Sequence, residues 1–136
     1  MIHHKELMAD GVDCPDCNAR TKHTRKDTIV TTPTYLIIQV KRWTKEGEKI
    51  KGQITSPPVL NMHSCVTAPA GAGSNVYRRV AIVEHRDGHY TAYVTRDADR
   101  FLCDGSRVTL VSDAAMNSCH DAYVFVYARV APGGPV

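Results

Sequence analysis

Apolar and polar positions alternate in short runs along most of the chain, with the period of strands rather than helices. Val80-Ala81-Ile82-Val83-Glu84-His85 and Tyr90-Thr91-Ala92-Tyr93-Val94-Thr95 flank Asp87-Gly88. An Asp-Gly pair between extended runs predicts a two-residue type I′ hairpin, because both central residues of that turn need positive φ. The register follows: Arg86 faces His89, Glu84 faces Thr91 and Ile82 faces Tyr93, with His85, Val83, Ala81, Tyr90, Ala92 and Val94 on the other side. On this reading one face of the hairpin is apolar and the other carries His89. Arg96-Asp97-Ala98-Asp99 reads as a polar turn into a third strand, Arg100-Phe101-Leu102-Cys103-Asp104. Pairing Thr95 with Arg100 sets Tyr93 opposite Leu102 and Thr91 opposite Asp104. Diagonal neighbours on one face of an antiparallel pair lie roughly 7 to 8 Å apart, so His89 and Asp104 are expected to meet.

The same pattern assigns the rest of the chain. Residues 1–13 give a short lead of helical character around Glu6, Leu7 and Met8, stopped by Asp10-Gly11. Residues 28–32 are extended, and Pro33 marks the start of a strand running through Tyr35-Leu36-Ile37-Ile38-Gln39-Val40. Both faces of that strand are largely apolar, which predicts a central strand covered on each side. Residues 44–47 turn the chain, 49–54 form a short alternating strand, Pro57-Pro58 halts pairing, and Val59-Leu60-Asn61-Met62 rejoins the apolar layer. Residues 67–75 have the composition of a flexible loop. Val108-Thr109-Leu110-Val111 is extended, 112–120 is a polar turn region, and residues 122–129 form a last strand. The Pro132-Gly133-Gly134-Pro135 tail is expected to be disordered. The fold class expected is mainly antiparallel β, a single β-rich domain over residues 1–131 with few or no long helices.

Composition narrows the picture. A chain of 136 residues, 43% hydrophobic and 23% charged, has single-domain size, and such a domain buries about two-thirds of its unfolded surface. The net charge of +3 is mild and the basic residues are scattered, so no nucleic-acid stripe is expected. Five cysteines, an odd number without a regular framework, point to a reducing compartment, cytoplasmic or nuclear. The first residues lack the apolar stretch of a signal peptide, and the apolar run at residues 35–40 is far too short to span a bilayer, so no membrane partner is expected.

Two clusters carry candidate chemistry. A carboxylate on one imidazole nitrogen fixes tautomer and orientation and stabilises the imidazolium, which is how a histidine is prepared to take a proton from a nucleophile. That describes His89 with Asp104; the plainer reading is two solvated residues at strand ends. Cys14-Pro15-Asp16-Cys17 has the spacing of half a tetrahedral zinc site. His3, His4 and His23 are the nearest further ligands, and no second Cys-x-x-Cys exists in the sequence. A redox role fits less well, because no expected strand leads into the pair.

Five segments in this order resemble the C-terminal half of a ubiquitin-specific protease catalytic domain, over roughly residues 6–129. They are Cys14-Pro15-Asp16-Cys17; Pro33-Thr34-Tyr35-Leu36-Ile37-Ile38-Gln39-Val40-Lys41-Arg42-Trp43; Gly88-His89-Tyr90-Thr91-Ala92-Tyr93-Val94; Phe101-Leu102-Cys103-Asp104; and Ala122-Tyr123-Val124-Phe125-Val126-Tyr127. The resemblance implies the palm and part of the fingers of a papain-like cysteine protease that cleaves ubiquitin from proteins. It implies that His89 is the general base and Asp104 its orienting partner, and that Cys14 and Cys17 are the second pair of a four-cysteine zinc ribbon. It also places His85 and Tyr90 beside the ubiquitin tail, as substrate-binding residues. No cofactor is required for the catalysis implied; a structural Zn²⁺ is expected only if a second ligand pair is supplied.

Departures from the family pattern qualify these expectations. The nucleophile box, Gly-x-x-Asn-x-Gly-x-x-Cys-Tyr, has no counterpart here, and Cys65, Cys103 and Cys119 read as packing or surface residues. Gly105 stands where many members have a second acidic residue. The expected partners are ubiquitin or a ubiquitinated protein, together with a missing N-terminal catalytic half or a second copy covering an exposed apolar patch beside His89. Alone, the chain is expected to be inactive, since a base without a nucleophile has nothing to activate. Two other readings stand beside this one: a ubiquitin-binding scaffold without catalysis, and a structural β domain bridged by zinc through Cys14 and Cys17.

Overall fold

A computed structural model describes residues 5–66 and 75–131 of the chain, with side chains from 11–22 and from 27 onward. Most of it is antiparallel sheet, as the pattern requires. Strands β1 (Lys5–Asp13) and β2 (Arg20–Lys26) form a two-stranded ladder. The larger sheet contains β3 (Tyr35–Gln39), β4 (Val59–Asn61), β5 (Val76–Arg86), β6 (His89–Arg96), β7 (Asp99–Asp104), β8 (Arg107–Val111) and β9 (Ala122–Arg129), ordered β3-β9-β5-β6-β7-β8 with β4 pairing β5. One short helix, α1 (Asp113–Asn117), and a 3₁₀ turn at His63–Cys65 complete the described elements.

The hairpin registers follow from local turn chemistry. Asp87 and Gly88 take φ of +49° and +80°, and Arg86 pairs with His89, Glu84 with Thr91 and Ile82 with Tyr93. The next turn pairs Thr95 with Arg100 and Tyr93 with Leu102. Strand β9 covers residues 122–129 as the pattern requires.

Side-chain parity in the β5–β6 hairpin is as expected, but its burial is the reverse. The side that carries His89 also carries Ile82, 2% exposed, and Glu84, 8% exposed, whereas Ala81, Val83, Ala92 and Val94 on the other side stay half-buried. The reason is tertiary: Met62, Cys65, Met116 and Cys119, all from outside the strands, fold onto Tyr77, Ile82, Phe125 and Tyr127 and build the core on that face. A register shift between Arg79 and Ala81 keeps this core continuous. One extra residue flips the parity, so Tyr77 and Arg79 before the bulge point the same way as Ile82 and Glu84 after it.

The opposite face remains open. In-register rows run Ile37, Val126, Ala81, Val94, Phe101, Leu110 and, beside them, Val124, Val83, Ala92, Cys103, Val108. Ile37, Val108 and Leu110 are each more than 60% exposed. Exposed apolar surface therefore exists, as expected, but on the far side of the sheet from His89 rather than beside it.

Several expectations are corrected. β3 is an edge strand: β9 pairs with one side of it, no described strand pairs with the other, and only Leu36 and Ile38 pack on the core. The expected helical lead is strand β1, because the nine residues Lys5–Asp13 pair with β2 instead of coiling, with Gly11 at φ +70° inside the irregularity between Met8 and Val12. That strand leads directly into the Cys14–Cys17 turn. Residues 49–54 make a single bridge, Trp43 to Lys49, and no strand. The polar stretch after β8 contains α1, whose Ser112 side chain accepts from the Ala115 N–H and caps it. The expected flexible loop lies, but for Asn75, outside the described residues, as does the expected disordered tail.

Candidate active site and the family it defines

The site is built at the mouth of the β5–β6 hairpin. The Asp87-Gly88 reversal places His89 as the first residue of β6, and the β6–β7 register brings Asp104 diagonally beside it. His89 Nε2 lies 2.6 Å from Asp104 Oδ1. A carboxylate only accepts, so Nε2 carries the hydrogen and, in the neutral ring, Nδ1 keeps its lone pair. Among the described residues Asp104 is the one hydrogen-bonding side chain on this ring. A cleft of about 410 Å³ opens in front, lined by Glu84, Arg86, Asp87, His89, Thr91, Tyr93 and Leu102. Both members of the pair are accessible, His89 64% and Asp104 49% exposed. In that setting an ion pair adds little to stability, so its consequence is orientation.

Asp121 braces this corner and was not legible from the sequence. Its carboxylate accepts from Lys49 Nζ at 2.7 Å and from Arg86 Nε at 2.9 Å, while Lys49 also donates to the His85 carbonyl. The Lys49 contact, opposed by burial and aided by Arg86, holds the Asp121 carboxyl below the usual carboxylate range. Arg86 is the cross-strand partner of His89, so the brace reaches the base through the hairpin backbone.

His85 and Tyr90 come together as a stacked pair with ring centroids 4.4 Å apart. Trp43 and Tyr123, which sequence reasoning missed, join them at 5.9 and 6.0 Å from His85. Parity puts His85 and Tyr90 on the face opposite His89. Trp43 and Tyr90 are 47% and 54% exposed.

None of the cysteines takes the nucleophile's place beside His89. Cys65 and Cys119 are buried. Burial, then a hydrogen bond to Glu84, pushes the Cys119 thiol far up. Cys103 is cross-strand to Ala92 and Val108, on the open face. Cys14 sits in the β1–β2 turn, where backbone N–H groups of Cys17 and Asp16, followed by the Cys17 side chain, hold its thiol below the usual range. Amides aimed at a sulfur favour a thiolate ligand. Yet among the described residues no group of three metal-ligating side chains comes together. The pair fits half a tetrahedral site and not a whole one.

Comparison with known proteins gives the family. Residues 5–127 match the family model described as ubiquitin carboxyl-terminal hydrolase. The chain is 29% identical over 133 residues to ubiquitin carboxyl-terminal hydrolase 36 of Drosophila ananassae, covering 90% of this chain and 12% of that protein. It is 29% identical over 139 residues to ubiquitin carboxyl-terminal hydrolase 2 of Gallus gallus, covering 94% and 39%. A solved SAGA DUB module of Ubp8, Sgf11, Sus1 and Sgf73 bound to monoubiquitin superposes with a TM-score of 0.78 at 26% identity, over 93% of this chain and 30% of that one. The chain belongs to the ubiquitin carboxyl-terminal hydrolase family. It spans between 12% and 39% of the length of these two relatives and about 30% of the matched structure.

Proposed function

We propose that this chain supplies the general-base side of a deubiquitinating cysteine-protease site, with His89 as base and Asp104 as the residue that orients it. The observation that carries the reading is the 2.6 Å contact from His89 Nε2 to Asp104, which leaves Nδ1 free to accept a proton at an open cleft. In the reaction, Nδ1 takes the proton of a thiol and the thiolate attacks the carbonyl at the ubiquitin C-terminus. The imidazolium returns that proton to the departing amine, and water then hydrolyses the acyl-enzyme. The thiol comes from outside the chain's own five cysteines, so the chain alone is inactive. Ubiquitin is the substrate this assigns, and the His85–Tyr90–Trp43–Tyr123 group offers an aromatic surface for the approaching tail.

The test replaces the matching segment of the Gallus gallus relative's catalytic domain with residues 5–127 of this chain and measures release of a fluorescent amine from the ubiquitin C-terminus. Hydrolysis by the chimera, lost in His89→Ala and cut about a hundredfold or more in Asp104→Ala, is the expected result. Equal activity in His89→Ala overturns the assignment, as does a covalent adduct between the isolated chain and an electrophilic ubiquitin probe. Ubiquitin binding by the isolated chain with an inert chimera would instead favour the scaffold reading.

For Cys14 and Cys17 the proposal is narrower: they supply two thiolates to a structural zinc whose remaining ligands lie elsewhere. Two chains sharing one zinc, or a zinc held with a second ligand pair on another polypeptide, is expected from metal analysis combined with native mass measurement. A zinc that survives Cys14→Ser and Cys17→Ser together refutes it.

A further inference from the structure

Arg79 is a charged residue in a place that ordinarily excludes one. It is 8% exposed, and all its hydrogen-bond acceptors are neutral: the Ser56 carbonyl at 2.7 Å, the Ser56 hydroxyl at 2.8 Å and the Asn117 side-chain oxygen. Among the described residues its buried Nε has no partner. A guanidinium withdrawn from water without a counter-ion is strongly disfavoured. The nearby carboxylate, Asp113, is already held by Arg100 at 2.6 Å. Burial, with Arg100 nearby, disfavours the charged form of Arg79, and Tyr127, Cys119 and Asp113 oppose that only partly.

Arg79 is part of the wall of a cavity of about 370 Å³ whose lining also includes Arg78, Arg100, Asp97 and Asp113. Those five side chains carry three positive and two negative formal charges, an excess of one. Pro58, Val59 and Met116 supply an apolar side, and Thr95 and Asn117 supply polar groups. The cavity lies at the opposite end of β6 from His89; Thr95 is six positions along the strand, roughly 20 Å at the usual rise. It shares no lining residue with the cleft in front of His89.

We propose that this cavity is a binding site for a small organic carboxylate, with the anion on Arg79 and the hydrocarbon part against Pro58, Val59 and Met116. The single excess charge selects a monoanion over a phosphate dianion. Arg79 Nη2 gives one of its two hydrogens to Asn117, which leaves the other for a carboxylate. A volume of about 370 Å³ is at the lower end of small-ligand pockets, larger than a bare ion needs. The carboxylate belongs either to a free acid or to the end of a peptide chain.

Titration of the whole chain with butyrate, followed by amide chemical shifts and thermal unfolding, tests the site. Saturable shifts at Thr95, Met116 and Asn117, none at His89, and a rise in melting temperature are expected. Arg79→Leu should weaken binding about tenfold or more, and Val59→Phe should block it by filling the apolar side without touching charge, which keeps the test decisive if the first variant does not fold. A peptide ending in a free carboxylate, compared with its amidated form, separates the two sources: binding of the free-acid peptide alone assigns a chain terminus, and binding of butyrate alone assigns a free acid. No saturable response to either ligand overturns the proposal. Unchanged affinity in both variants, or inorganic phosphate binding more tightly than butyrate, overturns it equally.

Discussion

Neutralising Asp121 should loosen the corner that holds His89, and the structure sets the size of the effect. Its carboxylate, 25% exposed, accepts from Lys49, 20% exposed, and from Arg86, 65% exposed. The Lys49 contact has the character of a charge-assisted bond, about 1.5 to 3 kcal/mol before solvent screening. The Arg86 contact is surface-like and adds little. With screening across a quarter-exposed group, Asp121→Asn should cost about 2 kcal/mol. For a chain of this size that corresponds to a fall of roughly 1 M in the urea midpoint. The pH dependence fixes the cause. A carboxyl held below its unfolded value contributes fully above the ordinary carboxylate range and loses that contribution as pH falls through the folded value. The gap between wild type and Asp121→Asn should therefore be complete at neutral pH and close in strong acid. Amide exchange at His85 and His89 should also quicken in the variant at neutral pH. Equal urea midpoints at neutral pH, or a gap that persists undiminished in strong acid, would show that the contacts with Lys49 and Arg86 do not brace the hairpin.

Other perturbations separate local from tertiary causes. Gly88→Ala meets no atom within 4 Å of the new Cβ, so only the positive φ resists it, and a loss of about 1 kcal/mol is expected by thermal unfolding. Ile82→Ala, at 2% exposure, should cost about 2 to 5 kcal/mol, whereas Ile37→Thr, at 67%, should cost under about 1 kcal/mol and reduce self-association in sedimentation. A comparable loss in both would mean that the open face is covered after all. Brief iodoacetamide treatment followed by mass mapping should label Cys14 and Cys17 before Cys119, whose thiol is buried and hydrogen-bonded to Glu84; labelling of native Cys119 at the same rate would contradict that burial.

The chain order of β5, β6, β7 and β9 was readable from residues alone, and with it the meeting of His89 and Asp104. Those registers depend on two tight reversals and on side-chain alternation, which are properties of a few neighbouring residues. The family could be named on the same segments, because motif order is a linear property. Local information did not determine which face of the sheet would be buried. Arg42 reaching the carbonyl of His120, 78 residues away, and Met62 and Met116 closing over Ile82 are the kind of contacts that decide it. The bulge before Ala81 hid the parity of Tyr77 and Arg79, and β3 looked central because hydrophobicity records what a strand is suited to touch, not what is there to touch it. Asp121, Trp43 and Tyr123 entered the site only when the loop after β3 and the start of β9 were brought to the hairpin's mouth. The sequence determined how β5, β6 and β7 pair and in what register, since turns and alternation act over short distances. Tertiary structure alone decided which face became core and which cations were left without an anion, because both depend on packing between segments far apart in the chain.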